Sequence, residues 1–173
     1  MNVQEIREMF DYNYWANDLL LTTAEKVTPE QFLAPSSHSF SSLQATLVHI
    51  LDSEWLWRLL LERENNYAGS YEEIKPGEFP TVAALRQRWK EEEQEMRGYL
   101  DRLHDEDLSN FVRYHTEKGL RRERLIWHAL FHVVNHGMQH RSEAANLLTT
   151  YGQSPGDLDF TRWLNERAPV SSK

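Results

Sequence analysis

Four of the chain's eight histidines, His128, His132, His136 and His140, recur every fourth residue within a single stretch. On an α-helix, side chains four apart stack along one flank, so this stretch can present several imidazoles together. Neutral imidazole is a general ligand for zinc, nickel, copper and iron, and metal binding is the chemistry the spacing points to. The ladder drifts, however, because each step of four residues advances about 40° around an ideal helix. With His140 as origin, the apolar residues Ile126, Ala129, Val133, Ala144 and Leu147 project within roughly 40° of it. His136 falls near that stripe, His132 at its margin and His128 beyond. His136 and His140 are therefore expected to face the core, where their ring nitrogens need partners. A shared ion would satisfy both; a hydrogen-bonded core pair is the other reading.

Two ligands are short of the three or more that a tight zinc-type site takes from protein. The remaining candidates are His38, His49, His104 and His115. His38, His104 and His115 fall in stretches that read as loop, helix end and extended segment. His49 lies instead in an apolar run, Leu43 to Trp57, that reads as a buried helix, on a stripe with Ala45, Leu56 and Leu60. Asp52, one turn on, is placed to orient its ring. Beside His140, Arg141 and Glu143 are further candidates. Glu143 suits an outer acceptor, a fourth ligand or a surface charge, and Arg141 an internal ion pair or an anionic substrate.

These residues need helices to hold them, and the periodicity supplies four. The first runs from about Val3 to Lys26, with Ile6, Met9, Phe10, Tyr14, Leu20, Leu21 and Ala24 at helical spacing. Thr28 to Gln31 reads as a capping box with proline at the first helical position, opening a short turn. Ser41 with Gln44 is expected to cap the second long helix, which runs to about Glu64. From Asn65 to Pro80 no helical period survives, and the segment reads as a long crossover connection. Thr81 caps a third helix to about Leu103. Its Val82, Leu85, Trp89, Met96, Tyr99 and Leu100 face inward, and Glu91, Glu92 and Glu93 form a solvated face. Phe111 to Tyr114 and the residues after Leu120 suggest two strands joined by a turn at Lys118-Gly119. The fourth helix is expected from near Glu123 to Thr150, closed at Tyr151-Gly152, and Asp159 caps a last short helix, Phe160 to Arg167. The expected architecture is all-α: a four-helix bundle with a long crossover connection plus short extra helices, forming one domain over residues 1–173.

Composition narrows the function classes. The chain has no cysteine, so disulfides, thiolate ligands and cysteine nucleophiles are excluded. A net charge of −8 argues against a nucleic-acid partner, which wants a basic patch. No apolar run reaches the ~18 residues of a membrane span, and the amino terminus carries no signal-peptide core, so a cytoplasmic protein with no membrane partner is expected.

The motifs together resemble the DinB-like (DinB/YfiT) superfamily of four-helix metalloproteins over nearly the whole chain. The resemblance is carried by Tyr12 to Asn17, Leu47-Val48-His49-Ile50, the run His132 to Arg141, and Tyr151-Gly152 through Asp159. Its most specific element is His136-x-x-x-His140-Arg141 with the upstream helical His49. The resemblance implies His49, His136 and His140 as ligands of a divalent metal ion, zinc, nickel or iron, with His132 beside the site. Family members often follow the last histidine with Arg-Gly-Gln, where this chain has Arg141-Ser142-Glu143. Relatives that use bacillithiol or mycothiol make a low-molecular-weight-thiol S-transferase acting on a small-molecule substrate the leading implication. A homodimer is also compatible with the superfamily. The alternatives are a metal-dependent hydrolase with Glu143 or Asp52 as proton shuttle, and a non-catalytic protein whose metal locks the bundle.

Overall fold

The structure, a computed structural model, describes residues 1–37, 40–62, 72–116 and 118–168. Four long helices dominate the described residues: α1 (Val3–Ala24), α3 (Leu43–Glu62), α4 (Val82–Arg102) and α5 (Ile126–Thr150). Two short helices accompany them, α2 (Pro29–Leu33) and α6 (Phe160–Arg167). A hairpin of β1 (Phe111–His115) and β2 (Arg121–Leu125) precedes α5, pairing Phe111 with Leu125 and His115 with Arg121. The mainly α architecture expected from periodicity is present.

Local chemistry sets the helix ends. Asn2 and Glu5 form a reciprocal capping box at the start of α1, and Thr28 and Gln31 form another at α2. The Thr81 hydroxyl accepts from the Ala84 amide at 3.2 Å to open α4. At the end of α5, Gly152 takes a left-handed φ of 78°, and the amides of Gly152 and Gln153 bond back to the carbonyls of Thr149 and Leu148. That is a Schellman closure, and the positive φ is why glycine stands there.

Several boundaries differ from the sequence reading. Ser42, not Ser41, caps α3: its hydroxyl accepts from the Ala45 amide at 3.0 Å. The fourth long helix begins at Ile126, not near Glu123, because Arg121 to Leu125 pair with β1 and Ile126 donates its amide to the Asn110 carbonyl. Of the expected connection from 65 to 80, residues up to 71 lie outside the described residues, as does His38. The remainder contains a short 3-10 turn at Pro76–Glu78, and Ile74 and Phe79 are buried on the bundle.

Each long helix packs beside two others, α5 on α1 and α3, and α4 on the same pair, so α1 lies across the bundle from α3. Two apolar clusters fill the interior. One contains Ile6, Phe10, Met96, Leu100 and Leu130, and the other Leu20, Leu47, Leu51, Leu85 and Leu148. Between them on every long helix lies a buried polar residue: Asn13 and Asn17 on α1, Glu54 and Arg58 on α3, Glu92 on α4, His140 and Arg141 on α5. The core is thus interrupted at mid-height by a polar layer.

Glu92 corrects the reading of a solvated acidic face. Glu91 is exposed, but Glu92 is completely buried and receives Arg58 in a two-pronged pair at 2.6 and 2.9 Å. Arg58 also donates to Glu62 at 2.7 Å. A buried carboxylate tolerates such a place only with a charged, multiply bonded partner. Removing one member strands a charge, which costs about 3–5 kcal/mol. Glu92→Leu should therefore lower unfolding free energy by roughly 3 kcal/mol in chemical denaturation. The double variant Arg58→Met/Glu92→Leu should recover most of that loss.

Candidate metal centre

The antiparallel packing of α3 on α5 brings His49 against His136 and His140. Their ring centroids lie 4.9, 4.8 and 4.5 Å apart for the pairs His49–His136, His49–His140 and His136–His140. One nitrogen of each ring falls within 4.8 Å of one nitrogen of each of the others. The Nε2 atoms of His49 and His136 are 3.1 Å apart. Imidazole nitrogens sharing one tetrahedral zinc at 2.0–2.1 Å stand roughly 3.3 Å from each other. The three rings are thus already near the spacing of a common ligand set.

Behind the third ring, His140 Nδ1 lies 2.8 Å from Glu143 Oε2. A proton held on Nδ1 by that carboxylate leaves Nε2 with a free lone pair and fixes the ring's orientation, the usual backing of a metal-ligating histidine. The helical offset of three residues makes this contact, so Glu143 serves the ring beside it. On the far side of His49 the Phe40 ring stacks at 3.9 Å and meets His140 edge-on at 5.2 Å. No spacing rule points to Phe40.

The electrostatics keep the His49 and His136 imidazoles neutral. Partial burial first, and repulsion from the neighbouring His140 second, push both His49 and His136 down from 6.5 to about 4. Neutral rings at pH 7 have lone pairs available for a cation. The donor set therefore suits a divalent ion in the number and spacing of its nitrogens, and two of its three rings are held neutral.

The other candidates divide. His132 sits beside His136, centroids 5.4 Å apart, and its far side meets Trp57 at 5.2 Å. His128 is exposed, with its ring on Trp127. His104 opens a 3-10 turn, and His115 ends β1. Asp52 is buried and its Oδ1 accepts the Ile74 amide at 2.8 Å, so it ties the connection down to α3. Arg141 turns into the bundle instead of toward an anionic ligand. It is only 1% exposed, donates from Nη1 to Asn13 at 2.5 Å and to Asn17 at 2.9 Å, and lies over the Tyr12 ring. Glu54 continues this network, accepting from the Tyr14 hydroxyl at 2.7 Å, with Asn13 Nδ2 at 3.4 Å. Burial pushes its carboxyl up to about 7. Asparagines four apart on the inward side of the amphipathic α1, and a glutamate inside the apolar run of α3, are the sequence signals for this network.

Gly137 gives Arg141 its path. A Cβ there would stand 2.7 Å from Arg141 Nη1 and 3.1 Å from Asn13 Oδ1. Gly137 lies between His136 and His140 on α5.

Fold and side chains define a helical-bundle protein with a partly buried cluster of three imidazoles, one of them backed by a carboxylate. The DinB family model matches residues 1–169, and the chain belongs to the DinB family. A crystal structure of a DinB-like protein from Bacillus cereus ATCC 10987 has the same fold, with a TM-score of 0.60 at 12% identity over 90% of this chain and 97% of that one. No protein of curated function matches the sequence.

Two outcomes follow for the metal-free protein. In the unfolded chain His49 and His136 take up protons near pH 6.5, whereas folded they do so only near 4. At these two sites the unfolded state then binds more protons between those values, so their contribution to stability should be constant above about pH 6.5 and fall as pH drops toward 4, superimposed on the opposite slope of buried Glu54, whose carboxyl is raised to about 7. Denaturation midpoints across that range, with His49→Gln/His136→Gln as the variant that removes this contribution, measure this. Gly137→Ala should lower the thermal midpoint by several degrees, because the crowded guanidinium is buried and cannot yield freely.

Proposed function

We propose that this DinB-family protein is a divalent-metal-dependent enzyme that transfers a low-molecular-weight thiol to a small electrophile. The observation that carries the proposal is the convergence of three imidazoles from two helices, with the Glu143 carboxylate behind one of them. His49, His136 and His140 would hold the ion, and three nitrogens suit zinc, nickel or iron alike. When bound in such a neutral set, the ion keeps its positive charge and lowers the pKa of a thiol or water placed beside it.

The chain's own residues do the rest. Glu143 fixes the tautomer and tilt of His140, Phe40 covers one side of His49, and the Arg141 network locks α1 against the ligand-bearing turns of α5. Because the chain has no cysteine, the sulfur nucleophile must come from a small molecule. In the transfer itself the thiol sheds its proton to solvent, the sulfur pair forms the new C–S bond, and the C–X bond breaks with its electrons leaving on X. A hydrolase would use Glu143 or Asp52 as a proton shuttle. Engagement of Glu143 with His140 and of Asp52 with the Ile74 amide favours thiol transfer instead.

The test is metal content first and turnover second. Purified protein should carry about one divalent ion per chain by elemental analysis, and His136→Ala should carry almost none. Glu143→Gln should retain the site but weaken affinity on the order of 10- to 100-fold in competition with a chelator. Protein loaded in turn with zinc, nickel and iron should accelerate the reaction of bacillithiol with a chlorinated acceptor. No acceleration with any of the three overturns the transferase reading.

A further inference from the structure

A row of rings in contact leads away from the three histidines. His49 and Trp57 are eight residues apart on α3, and His140, His136 and His132 follow at four-residue steps on α5. Because the two helices run antiparallel, these positions face each other in order. His49 stands by His136 and His140, and Trp57 by His132 at 5.2 Å. Trp57 then meets Tyr114 of β1 edge-on at 5.3 Å. At the opposite end Phe40 covers His49. The cluster is thus closed by a ring on one side and continued by rings on the other.

This wall is only partly covered. His49, Trp57, Tyr114 and His136 are half-buried and His132 is exposed, although Trp57 and Tyr114 pack at the margin of an apolar cluster. Large aromatic faces left within reach of water beside a potential ligand site are the usual lining of a small-molecule site, where a few polar groups orient and apolar rings bind. Trp57 is held by edge-on contacts with Tyr114 and His132 and is still partly open, so little conformational freedom remains to be lost when a ligand packs against its open part.

Resting on the metal-site reading above, we propose that the substrate of this centre carries a planar aromatic or similarly flat apolar group. The Trp57 wall, with His132 and Tyr114, binds that group while the reactive end lies at the three histidines. Trp57 is thus a specificity-determining residue.

Two hydroxamic acids with the same metal-binding head and different tails separate the elements of this proposal. Titration of cobalt-loaded protein, followed by its visible spectrum, should show benzohydroxamate binding on the order of three- to tenfold tighter than acetohydroxamate, the size of one aromatic contact. The preference has to exceed the difference between the two acids for free cobalt, measured in parallel. Trp57→Leu keeps apolar bulk and should erase the preference while leaving acetohydroxamate affinity and cobalt content unchanged. Trp57→Phe should retain most of it. If acetohydroxamate binds but the aryl compound gains nothing, or if its gain survives Trp57→Leu, the aromatic wall is overturned and the open coordination position stands. Binding of neither acid to cobalt-loaded protein overturns both.

Discussion

The seating of α3 against α5 is the contact on which everything else in this molecule depends. A single helix can align His136 with His140, but the third imidazole arrives only from across an interface. A shift of one helical turn, about 5.4 Å, would carry His49 out of reach. The rest of the bundle can be read as the means of preventing that slip. Asp52 holds the Ile74 backbone to α3, Arg58 binds α3 to Glu92 of α4, and Arg141 binds α5 to Asn13 and Asn17 of α1. Apolar packing drives the helices together but tolerates sliding, whereas directional bonds inside a low-dielectric core do not.

The polar layer therefore has a structural logic distinct from the histidine cluster that adjoins it. Its members sit between two apolar clusters and are bonded to partners on other helices, while the histidines converge mainly on one another. Two adjacent regions thus carry opposite electrostatic demands. Arg58 and Glu92 are paired charges in a dry interior, and the imidazoles must stay uncharged to keep their lone pairs. Partial burial achieves the second condition at His49 and His136 by opposing protonation, and the Glu143 carboxylate lies 2.8 Å from Nδ1 of His140.

Much of the scaffold was legible in the chain. Helical spacing located all four long helices, and caps at Thr28, Thr81, Gly152 and Asp159 followed from local chemistry. The errors have definite causes. Glu92 looked like its neighbours Glu91 and Glu93 because a carboxylate's type is blind to a partner thirty-four residues away. The start of α5 was misplaced because residues 121–125 gain a strand partner that no local period encodes. Arg141, next to a ligand, read equally as an internal or an outward-facing cation, and only the asparagines of α1 decided it.

By itself, the sequence determined which residue types could bind a cation, that two of them share a helix face, and that sulfur chemistry would need an external thiol. These are properties of composition and of a fixed helical period, so no folding is required to know them. Tertiary structure alone decided that His49 meets the α5 pair, that Phe40 closes one side, and that Trp57 and Tyr114 extend the other. Each of those facts joins residues remote in the chain or depends on how a helix is rotated about its axis, and that rotation is set by packing against the whole bundle.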